Sequence, residues 1–387
     1  MYHGVVRMIV RRRALWALLA AKLVGGWGVG WDIRWHLVIG RDSFWIAPHV
    51  MTYASVVAAC AISLGVLVAE TWGARGAAPG TVTVAGLRGT RGFHLTWWGM
   101  AIVILAAPVD DLWHRLFGLD VTLWSPPHLL GLAGSQVSNL GGLLIALEVH
   151  GPGWPRWAAL AISGVFLLGT FYLLVDQSVQ TGFHRGSVFF YTFPILGALA
   201  FTFALVLVAR LAMSRGLPLA LAAGALLVQI SILVIGDVGF AVLEPVSTID
   251  EAIAADPTSP VAVAHEMARR NGIAPGRSMI LRWIPLLPAA LMALADPLRR
   301  GRLAAAVFGL ALVATSAVAL GRLPALSHAL PSAADSVLAL VLALACAVGA
   351  GWCAVKVAEA FARATRGLAL ERPRLEPATA KGERPAR

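Results

Sequence analysis

Long apolar runs recur along the chain, each closed off by charged or turn-forming residues. Ten of them, 14–39, 48–70, 93–117, 128–148, 156–177, 189–212, 217–243, 279–298, 303–321 and 335–358, are long enough to be membrane spans. A helix crosses a bilayer with about 20 residues. The pattern predicts an all-α, polytopic transmembrane helical bundle. Residues 1–13 read as a basic arm, and 14–212 as a core that carries the polar motifs. Residues 213–362 read as further spans around a long polar segment, 244–278, and 363–387 as a disordered basic tail. Within 244–278, the stretch from Pro260 to Asn271 predicts a short amphipathic helix lying at the interface. The Gly-, Ala- and Thr-rich linker Thr71–Thr90 predicts a flexible loop with a little extended character.

Composition agrees with this reading. Of 387 residues 58% are hydrophobic and 13% charged, with a mean hydropathy of +0.77. Soluble domains carry about a quarter charged residues. The net charge of +11 would suggest a nucleic-acid partner if it were spread over a soluble surface. Placed on the spans it is a topology signal instead. With the N-terminus inside, inner segments hold 21 Lys and Arg against 7 Asp and Glu, and outer segments 9 against 13. The positive-inside rule then puts both termini in the cytoplasm, with lipid headgroups, not nucleic acid, as the partners of the basic charge. The expected location is a bacterial-type inner membrane. Arg11–Arg13 before an apolar run imitates a signal peptide, but that run leads straight into the first polar motif. Cys60, Cys346 and Cys353 sit inside apolar runs and form no metal knuckle. Trp27, Trp31, Trp35, Trp45, Trp113, Trp124 and Trp283 fall near outer span ends, as an aromatic belt would.

Two stretches carry the candidate chemistry. Asp32, His36 and His49 are spaced Asp-x3-His-x12-His; Asp110, His114 and His128 are spaced Asp-x3-His-x13-His. Each copy has Trp before the first His (Trp35, Trp113) and Pro before the second (Pro48, Pro127). Gly40 and Gly118, and Asp42 and Asp120, also correspond. The pair reads as an internal duplication of a two-helix hairpin, related by a parallel repeat. Asp32 lies about 27 Å along the first span and Asp110 at nearly the same depth in the third, so both motifs belong near the outer surface. Residues four apart share a helix face, and Pro favours a helix's first turn, so the second His starts the returning helix beside the first. A carboxylate and two imidazoles then converge, which suits copper, zinc or Fe(II) without choosing among them. Asp42 and Asp120 are natural acceptors for a ligand imidazole N–H, unless Arg34 or Arg41 pairs with them. A lone Asp-x3-His is more often a structural polar pair; the duplication argues for a metal site.

At these residues the chain resembles the C subunit of copper membrane monooxygenases, the particulate methane and ammonia oxidisers. Asp32, Trp35, His36, Arg41, Asp42, Phe44 and His49 fall on that family's first motif. Asp110, His114 and His128 match the spacing of its second, with Asp where the family has Asn. The resemblance covers residues 14–150 and does not reach spans eight to ten. It implies copper as cofactor and partner subunits, one of them a periplasmic copper protein. Activity on methane or ammonia does not carry over.

The resulting expectation is a membrane-embedded copper oxidoreductase subunit. It would hydroxylate a small apolar substrate with O2 at Asp32, His36 and His49, using an external electron donor. The alternative is a transporter or metal-handling protein with the same paired sites. A transporter needs polar groups running on to the inner face, and beyond Lys22 and Asp237 the inner halves of the spans read as nearly bare. A third reading, an assembly subunit with degenerate sites, is disfavoured because all six candidate ligands are retained. Asp176 and His184 could line a path to the site. Asp237 reads as deep in span seven, satisfied by Gln229 or a Ser if it has no functional role. His265 and Glu266 read as solvated.

Overall fold

The computed structural model describes the backbone of residues 2–40, 43–73, 80–117 and 122–369, and the side chains of these from residue 6 to residue 366. The helices are α1 (Tyr2–Val38), α2 (Ala47–Trp72), α3 (Arg91–Phe117), α4 (Pro126–Val149), α5 (Trp154–Asp176), α6 (Ser178–Arg185) and α7 (Thr192–Ala212). They continue with α8 (Leu217–Leu243), α9 (Ile249–Ala255), α10 (Pro260–Arg270), α11 (Ile280–Trp283), α12 (Leu286–Leu294), α13 (Gly301–Gly321) and α14 (Ala333–Ala369). Among the described residues, nine helical segments are long and apolar enough to cross a membrane. The chain is an all-α membrane bundle.

The expected eighth span is shorter than drawn from sequence. It is broken into α11 and α12 at Ile284–Pro285, because Pro285 has no N–H to continue the helix. The pair still runs from one end of the bundle to the other. Arg282 meets Asp176 at one end (2.6 Å), and the Leu298 carbonyl accepts from Arg210 at the other (2.9 Å). Contacts between helix ends fix the remaining directions. Arg7 reaches the Gly73 carbonyl, Arg12 that of Val149 and Arg91 that of Ala364, which gathers the starts of α1 and α3 with the ends of α2, α4 and α14. We call this the terminal face. The opposite, motif face gathers both hairpin tips, α6, the 244–278 segment and residues 324–335.

α7 is the central helix, its span 67% buried against 33–50% for the others. Phe193, Phe201, Phe308 and Tyr172 fill the core around it with no more than 1% exposed. The basic arm is helical and continuous with α1, and α14 runs past Arg363 to Ala369; the expected disordered tail from 370 onward lies outside the described residues. The linker after α2 holds an antiparallel hairpin, β1 (Thr81–Val84) and β2 (Leu87–Thr90). Ala85 and Gly86 turn it with φ of +50° and +78°, the two positive values a tight hairpin turn needs. The expected short helix at Pro260–Asn271 is present as α10, opened by a Ser259 cap on the Ala262 N–H.

Candidate functional site

α1 ends at Val38 and α2 opens at Ala47 with Pro48 in its first turn, which returns His49 to the side of Asp32. His49 Nε2 lies 3.1 Å from Asp32 Oδ1, and His36 Nδ1 lies 3.6 Å from the same oxygen. In the second hairpin, His114 Nε2 lies 3.2 Å from Asp110 Oδ2 and His128 Nε2 3.6 Å from Asp110 Oδ1. Each carboxylate therefore stands between two imidazoles, and all six side chains are about one-fifth to one-third exposed. The sequence-predicted triplets come together, three by three, at the motif face. Asp42 and Asp120, with Arg41 and Gly118, lie outside the described residues.

The second His of each triplet is oriented in one way. His49 Nδ1 donates to the Ser43 carbonyl (3.0 Å) and His128 Nδ1 to the Thr122 carbonyl (2.6 Å), in each case six residues back. A carbonyl only accepts, so Nδ1 carries a proton, and Nε2 is left facing the carboxylate, bare in a neutral ring and protonated in an imidazolium. That nitrogen faces a carboxylate oxygen. Asp32 Oδ1 and Asp110 Oδ1 are both buried and have no hydrogen-bond partner. A lone pair facing a carboxylate is repulsive unless a proton or a cation sits between them. The 3.1–3.6 Å gaps are those of two donors sharing an ion at bonds of about 2.0–2.2 Å.

His36 differs. Its Nδ1 is turned to the Asp32 carbonyl of its own helix (2.9 Å), and its ring centre is 6.2 Å from that of His49. Among the described residues, no three His, Cys, Asp or Glu side chains form a ready-made metal cage. In comparisons with protein families, characterised proteins and solved structures, nothing matches this chain.

The ground around the triplets departs from sequence expectation. Trp31 and Trp35 are buried, packed with Ile39 and Phe240 into a small apolar cluster instead of an aromatic belt. Arg34, on the same turn, donates to Asp237 Oδ1 (2.7 Å), as does Arg277 (2.7 Å). Asp237 is 41% exposed near the motif face, so it is neither deep in its span nor satisfied by Gln229 or a Ser. His265 is not simply solvated: its Nε2 bonds the Leu37 carbonyl at 2.7 Å. Thr248 N–H and Ser247 Oγ take the carbonyls of Ile39 and Val38. The 244–278 segment thus caps the last turn of α1 and roofs the first hairpin. Gly40 allows the roof to close, with φ +79° and Ile249 Cα only 2.9 Å from where a Cβ would stand.

The halves of the spans toward the terminal face, expected to be nearly bare, are not. Arg11 and Glu70 form a bidentate pair (2.6 and 2.8 Å) with both side chains under 10% exposed. Glu148 accepts from Thr90 Oγ1 and from Gly92 N–H (3.0 Å). Midway, Lys22 donates to Asn139 Oδ1 (2.9 Å), and the Asn139 amide reaches Gln136, Thr170 and the Phe166 carbonyl. The sequence held one signal for the two acids. Glu70 and Glu148 follow their hairpins' second His by 21 and 20 residues, about the length of one span.

Proposed function

We propose that this chain is the membrane-embedded subunit of a copper-dependent oxidoreductase that hydroxylates a small apolar substrate with O2. Copper would be held by Asp32, His36 and His49, and by Asp110, His114 and His128 in a duplicated copy of the hairpin. The observation that carries this reading is the pair of buried carboxylate oxygens, each facing an imidazole Nε2 across a gap that a proton or a cation has to fill. Zinc or iron fits the same donors; copper rests on the motif resemblance.

Bound copper would supply one-electron chemistry with O2. The chain's own residues do the rest. Asp32 and Asp110 offset the ion's charge. The Ser43 and Thr122 carbonyls hold the imidazoles in the tautomer that presents Nε2. Trp31, Trp35 and Phe240 keep water from the flank of the first triplet. In the overall reaction one oxygen atom enters a C–H bond and the other leaves as water, consuming two electrons and two protons. The electrons come from an external donor, so a reductant and partner subunits belong to this reading. On this reading the chain sits in a bacterial-type inner membrane with the motif face outward and both termini in the cytoplasm, an orientation that the charge bias supports.

Elemental analysis of the purified protein beside His36→Ala, His114→Ala and the double variant tests it. Each single variant is expected to lose one site's copper and the double variant all of it. Metal content unchanged in the double variant ends the reading. A second reading, ion or metal transport, is favoured by the buried polar groups that continue from Lys22 to the Arg11–Glu70 pair. Copper uptake into sealed proteoliposomes separates the two, since a fixed catalytic site carries no net flux.

A further inference from the structure

A cleft of about 490 Å3 opens on the motif face between the tip of the second hairpin, the α5–α6 corner and the start of α10. Its volume is that of a small-molecule site. Trp124 gives it an apolar wall, with the indole N–H already committed to the Leu174 carbonyl (2.8 Å). The remaining chemistry is weighted toward donors. Gln177 spends its carbonyl oxygen on Thr122 Oγ1 (3.1 Å) and Leu123 N–H (3.0 Å), which leaves its amide hydrogens for another partner. Thr181 adds a hydroxyl and His184 a ring nitrogen. Arg185 lies 5.2 Å over the Phe189 ring and has no ion pair among the described residues.

No carboxylate is among the described lining residues, and two acids on neighbouring elements are engaged. Asp176 is paired with Arg282 (2.6 Å). Asp256 accepts the hydroxyl (2.7 Å) and N–H (2.9 Å) of Thr258, bonds that hold its carboxyl below the usual range. A guanidinium, an amide and a hydroxyl around a cleft whose described lining holds no acid are the elements of an oxyanion site.

We propose that this cleft binds a phosphate-type oxyanion, either free or as an anionic lipid headgroup, through Arg185, Gln177 and Thr181. The site reaches the second triplet. Gln177 holds Thr122, and the Thr122 carbonyl fixes His128, so an anion on the Gln177 amide bears on the orientation of that imidazole. The proposal does not rest on the copper reading, because binding is measured on protein without added metal.

The test has two arms. In nanodiscs of phosphatidylcholine, inorganic phosphate is titrated calorimetrically. In nanodiscs containing phosphatidylglycerol, native mass spectrometry counts lipid retained by the protein. Saturable phosphate binding, weakened about tenfold by Arg185→Gln and less by Thr181→Val, supports a free anion. Phosphatidylglycerol retained by the wild type and lost from Arg185→Gln supports a headgroup. Arg215→Gln, an exposed site at the terminal face, leaves the phosphate arm unchanged. No saturable binding in either arm, or binding that survives both Arg185→Gln and Thr181→Val, overturns the proposal.

Discussion

The two hairpins carry the same donor types in the same order, and the bundle holds them in different ways. The first closes on a hydroxyl at Gly25 and on a hydroxyl and backbone together at Gly28. A Cβ at Gly25 would meet Ser55 Oγ at 2.3 Å, and one at Gly28 would meet Thr52 Oγ1 at 2.6 Å. The second closes backbone to backbone at Gly99 and Gly134, with one hydroxyl, Thr96 Oγ1, 2.5 Å from a Cβ at Gly141. A Cβ at Gly99 would stand 2.5 Å from Ser138 N, and one at Gly134 would stand 2.7 Å from the Gly99 carbonyl. Small residues that let helix backbones touch are a common seam in membranes. The tips differ too. The first is roofed by residues 247–265, whereas the second is tied by Gln177 and looks onto the cleft. One local motif can therefore serve two degrees of access, and the elements that set the difference lie outside the motif.

The terminal-face acids sharpen the contrast most. Arg11→Leu strands Glu70 as a buried charge and should cost about 3–5 kcal/mol. Glu148→Gln, which keeps one acceptor for Thr90 and Gly92, should cost about 1 kcal/mol. Unfolding in mixed micelles compares them, and equal losses would erase the distinction between the two anchors. The seams come next. Gly99→Val should lose about 3 kcal/mol or more, because the clash is with backbone. Gly25→Ala should lose about 1 kcal/mol, because the obstacle is one side-chain oxygen. At the tips, Gln177→Leu removes two hydrogen bonds and should cost about 1–2 kcal/mol, and His265→Ala removes one and should cost about 1. Hydrogen exchange should localise the first loss to the second hairpin tip and the other to the end of α1.

The smallest effect is a pH dependence of the roof. Hydrogen bonds and charge from Arg269 and Arg270 hold the Glu266 carboxyl well below its usual range. A depressed carboxyl stabilises the fold above its unfolded value, and the contribution is lost as pH falls through the folded one. Protection of α10 amides should therefore be flat near neutrality and fall only in acid. Glu266 is solvent-facing, so Glu266→Gln should flatten that acid loss while barely altering protection at pH 7.

Most spans were legible because each apolar run is long enough to cross by itself. The triplets were legible because a four-residue spacing and a proline-started return helix are local rules, and they bring His36 and His49, and His114 and His128, to their carboxylates. The eighth span was overdrawn, since hydropathy does not register the break at Pro285. Asp237 was misplaced because its partners, Arg34 and Arg277, are 203 and 40 residues away in sequence. Glu70 and Glu148 passed unnoticed because each sits where a span ends, and only the bundle shows them buried.

The sequence by itself determined an all-helical membrane chain, its hairpins and the meeting of two imidazoles with each carboxylate, because these follow from hydrophobic length and helical period. Tertiary structure alone decided that one hairpin is roofed while the other faces a cleft, and that charged groups line the interior. Those outcomes depend on contacts between residues far apart in the chain, and no local period encodes such contacts.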